Sequence, residues 1–162
     1  MLTKTTYNRE AATQYAIKWA LAHNPSFYNF QQSGGDCTNF ASQSIYAGSG
    51  VMNYTPVMGW YYNNKNDCTA SWSGVRYLYN FLLYNKSVGP YAEVVDKSRI
   101  EPGDIVQLGD ESGRFYHSPV VVSIDGDILV AAHTLNVCYK SLSSYEFAQI
   151  RYIHICGVRK YI

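Results

Sequence analysis

The sequence of 162 residues predicts an α+β fold in which helices come first and an antiparallel β-sheet follows. In the first half, apolar residues recur at helical spacing, whereas the second half holds short β-branched runs separated by Pro-Gly and Asp-Gly turns. Helices followed by strands are typical of α+β proteins with an antiparallel sheet. The chain has no repeat, low-complexity segment or linker, and its length allows a substantial core. We therefore expect one domain over residues 1–162.

Three helices are predicted in the first half of the chain, and their expected ranges are 8–23, 37–47 and 72–84. Pro25 follows the first helix and Gly48 follows the second, as expected for residues that end helices. The segment 50–71, rich in Asn, Tyr and Trp, is a long loop of the kind that often forms a lid or binding wall. The strands are expected from about Glu93 onward, and the last of them covers residues 151–159.

The second helix begins with a motif that suits a reactive thiol. Gly34 and Gly35 form a turn, Asp36 occupies the N-cap position, and Cys37 is the first helical residue. The free N–H groups and the positive end of the helix dipole favour a thiolate at this position. The glycines leave room for a substrate carbonyl beside the sulfur. The alternative interpretation is a buried structural cysteine. A catalytic role for Cys37 therefore requires a base close to the thiol.

His117 is the strongest candidate for that base. It begins the β-branched run 117–124, and a second run, 127–134, ends near His133. The two runs are expected to pair as a hairpin. With a two-residue turn at Asp125-Gly126, His117 would lie opposite Thr134, whereas a three-residue loop would place it opposite His133. We expect the second register, because only that one lets the two imidazoles meet on one face.

Cysteine-dependent amide cleavage requires a thiol nucleophile, an imidazole that moves protons, and a group that holds the imidazole. We therefore predict that Cys37 is the nucleophile and His117 the base. His133, or alternatively Asn136, would be the third member, and the Cys37 N–H would stabilise the oxyanion. The same ligand types could bind zinc, but thiolate chemistry explains the helix-start cysteine without a metal. We predict no metal and no cofactor.

The sequence resembles a family of amidase domains in the papain-like superfamily of cell-wall cysteine hydrolases, which includes the CHAP and NlpC types. The resemblance extends from about Tyr7 to about Tyr161. It is carried by five motifs: Gly34 to Gln43, Trp72, Pro102 to Gln107, Tyr116-His117-Ser118, and Ala131 to Thr134. It implies a papain-like (NlpC/CHAP-type) fold, with N-terminal helices that carry the nucleophile and pack on the C-terminal sheet. It also implies the roles predicted above for Cys37, His117 and His133, and peptidoglycan or a cell-wall peptide as the substrate.

Composition excludes several other classes of function. The formal net charge of +1 and the charged fraction of 15% give no footprint for nucleic acid or an anionic membrane. No segment approaches transmembrane length, and the N-terminus lacks the apolar stretch of a signal peptide. The resemblance implies the cell envelope or the extracellular space, so we expect either an excised domain or a cytoplasmic or spore-associated protein. A monomer is the default expectation.

Asp36, Trp60, Trp72 and Tyr116 are the candidates for substrate binding, since Trp and Tyr suit flat polar ligands. For Trp72, whose helical phase points inward, an ordinary core position is the alternative. Two other classes of function remain open. One is an inert glycan- or peptide-binding module, and the other is an acyl transferase that uses the same thioester.

Overall fold

A computed structural model describes residues 1–162 and confirms an α+β fold with an antiparallel sheet. The first half contains four helices and three short strands: β1 (Leu2–Thr5), α1 (Arg9–Trp19), α2 (Cys37–Ser49), β2 (Tyr62–Asn64), β3 (Asp67–Cys68), α3 (Ala70–Ser73) and α4 (Val75–Tyr84). The second half contains seven strands: β4 (Gly89–Val95), β5 (Ile105–Gly109), β6 (Phe115–His117), β7 (Val120–Asp125), β8 (Asp127–Ala132), β9 (Val137–Ser141) and β10 (Gln149–Tyr161).

Eight of these strands form one antiparallel sheet in the order β1-β10-β5-β7-β8-β9, with β4 paired to β10 and β6 paired to β5. The long strand β10 therefore joins the two ends of the chain, because it pairs with β1 as well as with β4 and β5. The sequence analysis missed β1. Strands β2 and β3 form a separate hairpin within the segment 50–71.

The main core lies where α1, α2 and α4 pack against the sheet. Phe40 and Ile45 of α2 are fully buried, as are Trp60 and Trp72, whose ring centroids lie 4.8 Å apart. The buried phase of α2 follows from its apolar spacing, and the helix ends at Gly50, whose φ of 71° is the left-handed conformation that favours glycine. The third predicted helix is divided at Gly74 into α3 and α4. No helix in the structure is long and apolar enough to cross a membrane.

The predicted register of the β7–β8 hairpin is wrong. Val120 pairs with Ala131, and a bulge lies between Val121 and Ser123. The extra residue in the bulge shifts the pairing of the two strands. If the pairing of Val120 with Ala131 were extended toward the start of β7, His117 would lie opposite Thr134 and not opposite His133. In addition, His117 lies in the separate strand β6, opposite Leu108 of β5. The two imidazoles therefore do not share a face of the hairpin.

Candidate active site

Cys37 is the first residue of α2 and lies at the wall of a cleft that has a volume of about 810 Å³. The side chain is only 8% exposed. Its Sγ lies 3.7 Å from Thr38 Oγ1 and 3.9 Å from the main-chain carbonyl of Tyr116 in β6. The start of α2 thus holds the sulfur against the strand that carries His117.

Burial raises the pKa of the Cys37 thiol, and this effect outweighs hydrogen bonds from Thr38 and from the Ser118 N–H, which lower it. The nearby Asp36 carboxylate also raises the pKa. The sequence analysis weighed only the helix start and expected a stabilised thiolate. Burial thus favours the neutral thiol over the thiolate, so a base would have to remove the proton before the sulfur could attack.

Asp36 does not cap α2 with its side chain, contrary to expectation. Its Oδ1 accepts hydrogen bonds from the Phe30 N–H at 2.7 Å and from Asn39 Nδ2 at 2.8 Å. Its Oδ2 lies 2.6 Å from His133 Nδ1. Burial alone would raise the pKa of Asp36, but the hydrogen bonds from His133, Asn39 and Phe30 together hold it below its usual value. Asp36 is fully buried, so it does not face the cleft.

His133 is enclosed behind the start of α2. Its Nδ1 bonds to the Asp36 carboxylate, and its Nε2 lies 2.8 Å from the carbonyl oxygen of Trp19. Both partners are acceptors, so both ring nitrogens carry hydrogens and the ring is a cation paired with Asp36. The ring is 1% exposed and stacks on Phe40 with 4.1 Å between centroids. His133 therefore cannot orient the His117 imidazole, and the expected contact between the two histidines is corrected.

The end of β8 and the start of α2 are tied together by a second contact beside the Asp36–His133 pair. The Asp36 N–H donates to Thr134 Oγ1 at 2.8 Å, and Thr134 itself has a φ of 61°. Asp36, the residue that precedes Cys37, is therefore held by its backbone and by its side chain. Thr134, Asp36 and His133 position Cys37 without touching the cleft.

His117 is 9% exposed and lies at the end of β6. Burial lowers the pKa of its imidazole to about 4, and no hydrogen bond or charged neighbour offsets that effect. The ring is therefore neutral at pH 7 and able to accept a proton. Its centroid lies 5.7 Å from that of Tyr145. The Cys37 sulfur contacts main-chain groups on both sides of His117, but no hydrogen bond joins the sulfur to the imidazole.

A chain of five hydrogen bonds, two of them between Arg151 and Gln107, leads from Arg151 to the Cys37 sulfur. Arg151 donates from Nε and Nη2 to Gln107 Oε1, at 2.9 and 2.6 Å. Gln107 Nε2 donates to Ser118 Oγ at 3.1 Å. Ser118 Oγ lies 3.2 Å from Thr38 Oγ1, which is 3.7 Å from Cys37 Sγ. Arginine and the amide nitrogen can only donate, so the two hydroxyl hydrogens are free to point toward the sulfur.

The cleft beside Cys37 is lined by residues from four parts of the chain: the start of α2 with the two glycines before it, the segment from the end of α3 into α4, the 112–116 segment, and Arg151 of β10. Tyr116 lies in this lining and is 43% exposed, and its contact with a substrate stays a prediction. Trp60 and Trp72 are fully buried and do not reach the cleft, which corrects their assignment to the groove wall. The alternative interpretation of Trp72 as a core residue is the right one.

The sequence analysis missed three arginines in the lining of the cleft: Arg76, Arg114 and Arg151. They are far apart in the sequence and come from α4, the β5–β6 loop and β10, so no local pattern marks them. The lining contains no aspartate or glutamate. The cleft is therefore strongly cationic, although the whole chain has a net charge of only +1.

One group of side chains has the composition of a metal site: His23, Asp36 and His133, whose ligand atoms all lie within 4.8 Å of one another. However, the 2.6 Å separation of His133 Nδ1 and Asp36 Oδ2 is that of a charge-assisted hydrogen bond. The interaction of Asp36 with His133 accounts for both side chains without an ion. Cys37 and His117 are not part of this group.

Comparison with known proteins gives one family and one relative. A family model described as "Putative amidase domain" matches residues 6–156. A protein of Bacillus subtilis (strain 168), named "Uncharacterized protein YhbB", is 31% identical over 121 residues, which are 74% of this chain. The chain spans only 38% of that relative's length. No solved structure matches. The family match covers most of the chain, and the chain therefore belongs to the putative amidase domain family.

Proposed function

We propose that the protein is a cysteine-dependent amidase or peptidase whose nucleophile is Cys37. The observation that carries this proposal is the position of the sulfur. It lies at the first turn of a buried helix, opens onto the cleft and rests against the strand that ends in His117. Membership of an amidase family supports the same reaction class.

In the proposed reaction, neutral His117 accepts the Cys37 proton as the sulfur attacks the amide carbon. The negative charge that develops on the substrate oxygen would be stabilised by the Cys37 N–H at the free start of α2. The imidazolium of His117 then gives its proton to the leaving amine, which leaves a thioester on Cys37. Water, deprotonated by His117, hydrolyses the thioester and restores the thiol.

This role for His117 needs the imidazole to reach the sulfur. The imidazole makes no hydrogen bond that it would have to break in order to move, and its side chain is held only by packing. Catalytic hydrogen bonds are often long in free enzymes and tighten when substrate binds. We therefore propose a two-residue Cys37–His117 site, with the buried Asp36–His133 pair as its structural support.

We further propose that the fold is of the papain-like cell-wall type. A helix that begins with the cysteine packs on an antiparallel sheet whose strand β6 carries the histidine, in the chain order expected for that superfamily. The substrate class that this proposal implies is an amide in peptidoglycan or in a related cell-wall peptide. Peptidoglycan fragments are therefore the first substrates to screen.

The test is product analysis by mass spectrometry after incubation of the protein with peptidoglycan fragments. Wild type is expected to release new amino groups, while Cys37→Ala is expected to release none. Addition of hydroxylamine would intercept the thioester and give a hydroxamate product. Absence of any hydrolysis by wild type across peptidoglycan and cell-wall peptides would contradict the proposal.

An inert binding module is the second candidate, and two observations favour it. The raised pKa of Cys37 and the missing sulfur–imidazole hydrogen bond are what a site without catalytic selection would show. In that case, fragments would bind equally to wild type and Cys37→Ala, with no turnover by either. Transfer of the acyl group to an added amine, in place of water, would identify an acyl transferase instead.

A further inference from the structure

Arg151 has the surroundings of a guanidinium prepared to bind an anion. It lies in the lining of the cleft that contains Cys37. Its guanidinium carbon is 3.4 Å from the centroid of the Tyr79 ring and 3.8 Å from that of Phe115, so two aromatic rings pack against it. Such stacking fixes the plane of the group and reduces the entropy lost when it binds a ligand.

The hydrogen bonds of Arg151 leave one edge free. Nε and one hydrogen of Nη2 are used by Gln107 Oε1. The guanidinium carries five N–H donors, so three remain, on Nη1 and Nη2. These two nitrogens form the terminal edge that binds a carboxylate with two parallel hydrogen bonds.

Arg151 has no carboxylate partner in the protein, although it is half-buried. Among the arginines, Arg9 and Arg99 form ion pairs, whereas Arg151, Arg76 and Arg114 form none. Asp110, in the β5–β6 loop, accepts hydrogen bonds from Ser112 and from the Arg114 N–H. Burial lowers the pKa of Arg151, as expected for a cation without a counter-charge.

We propose that Arg151 binds a carboxylate of the substrate, so that the amide attacked by Cys37 belongs to an acidic peptide. Arg76 and Arg114 would add to the positive potential of the cleft and attract such a peptide. This inference rests on the proposed role of Cys37 as the nucleophile. The hydrogen-bond chain through Gln107, Ser118 and Thr38 holds the guanidinium and the sulfur in one connected frame.

Two alkylating reagents of nearly equal size test the inference: iodoacetate, which is an anion, and iodoacetamide, which is neutral. The rates of alkylation of Cys37 and of the exposed Cys156 are measured at pH 9 in one sample by peptide mass spectrometry. The readout is the ratio of the iodoacetate rate to the iodoacetamide rate. We expect this ratio to be about tenfold higher at Cys37 than at Cys156, within the range that electrostatic attraction produces.

Variants identify the residue that causes the preference. Arg151→Gln is expected to remove most of it, and Arg151→Lys, which keeps the charge but not the planar fork, to restore part. Arg99→Gln removes the same charge from an exposed ion pair outside the cleft and should leave the ratio at Cys37 unchanged. For this variant the Cys37 ratio is compared with that of wild type and not with Cys156, because the charge of Arg99 acts on Cys156. If Arg151→Gln fails to fold, 0.5 M NaCl applied to wild type serves instead and should reduce the ratio at Cys37 toward that at Cys156.

The outcomes separate this inference from the proposed function. The proposed anion site at Arg151 is wrong if iodoacetamide alkylates Cys37 but the ratio at Cys37 equals that at Cys156. It is also wrong if Arg99→Gln lowers the ratio at Cys37 as much as Arg151→Gln does. In both cases the proposal that Cys37 is the nucleophile is unaffected. If neither reagent alkylates Cys37 under conditions that label Cys156, both proposals are wrong.

Discussion

Asp36 and His133 form a fully buried ion pair, 2.6 Å apart, directly behind the residue proposed as the nucleophile. The pair joins positions that are 97 residues apart in the sequence. Its other hydrogen bonds reach Phe30, Asn39 and the Trp19 carbonyl, so it connects α1, the loop before α2, and the end of β8. The position of Cys37 therefore depends on two charged side chains that do not face the cleft.

Removal of one member of this pair should destabilise the protein strongly. We expect Asp36→Asn or His133→Ala to lower the free energy of unfolding by about 3–5 kcal/mol, because a buried charge loses its partner. Urea unfolding measures the change. The matched control is Glu93→Gln, which breaks the exposed pair with Arg99 and should cost about 0–1 kcal/mol. A loss of less than 1 kcal/mol in Asp36→Asn would mean that the pair is not ionised.

The buried imidazole of His117 should make the protein sensitive to acid. Its pKa in the folded state, about 4, lies below the ordinary value of 6.5. The unfolded chain therefore binds the proton more readily, and the stability present above pH 6.5 is lost as the pH falls toward 4. The full loss is about 3 kcal/mol.

His117→Gln removes the titrating group and tests this origin. Urea unfolding at pH 7 and at pH 4.5 should show a smaller loss of stability in the variant than in wild type. The Asp36 contribution, which is lost only at still lower pH because the pKa of that carboxyl is depressed, is shared by both proteins. An equal loss in both would show that His117 is not buried in its neutral form.

The hydroxyl of Thr38 is expected to stabilise the thiolate of Cys37. Thr38→Val keeps the shape of the side chain but removes the hydrogen bond to the sulfur, so the pKa of the thiol should rise further, by about one unit for an interaction of about 1 kcal/mol. Absorbance of the thiolate near 240 nm, measured from pH 7 to pH 11 as a difference from Cys37→Ala, follows the titration.

Ser44→Ala is the matched control for Thr38→Val. Ser44 is also buried in α2, but its hydroxyl donates to the Phe40 carbonyl and has no link to the sulfur. The Cys37 titration should be the same in Ser44→Ala as in wild type. A shift of equal size in both variants would show that general loosening of α2, and not the hydrogen bond from Thr38, changes the thiol.

The sequence predicted the parts of this site that are determined locally. The glycines before Cys37 and the apolar spacing after it belong to one short segment, and both the helix and its burial are observed. His117 was correctly expected in a strand, but the predicted run 117–124 is divided between β6 and β7.

The rest of the site depends on contacts between distant segments. The bulge after Val121 changes the register by one residue, and turn chemistry at Asp125-Gly126 does not reveal it. The partner of Asp36 is set by how β8 docks on α2, so the sequence suggested an N-cap where the structure has an ion pair. The three cleft arginines come together only when α4, the β5–β6 loop and β10 are assembled.

The central claim is that His117 serves as the base for the Cys37 thiol. Its most direct test is the rate at which iodoacetamide alkylates Cys37 from pH 5 to pH 10, compared between wild type and His117→Gln. The other three cysteines in each sample report any general change in reactivity. At pH 7 we predict faster alkylation of Cys37 in wild type than in His117→Gln. The two rates should converge toward pH 10, where the thiol ionises without help from a base. Identical rates in the two proteins across the whole range would contradict the claim.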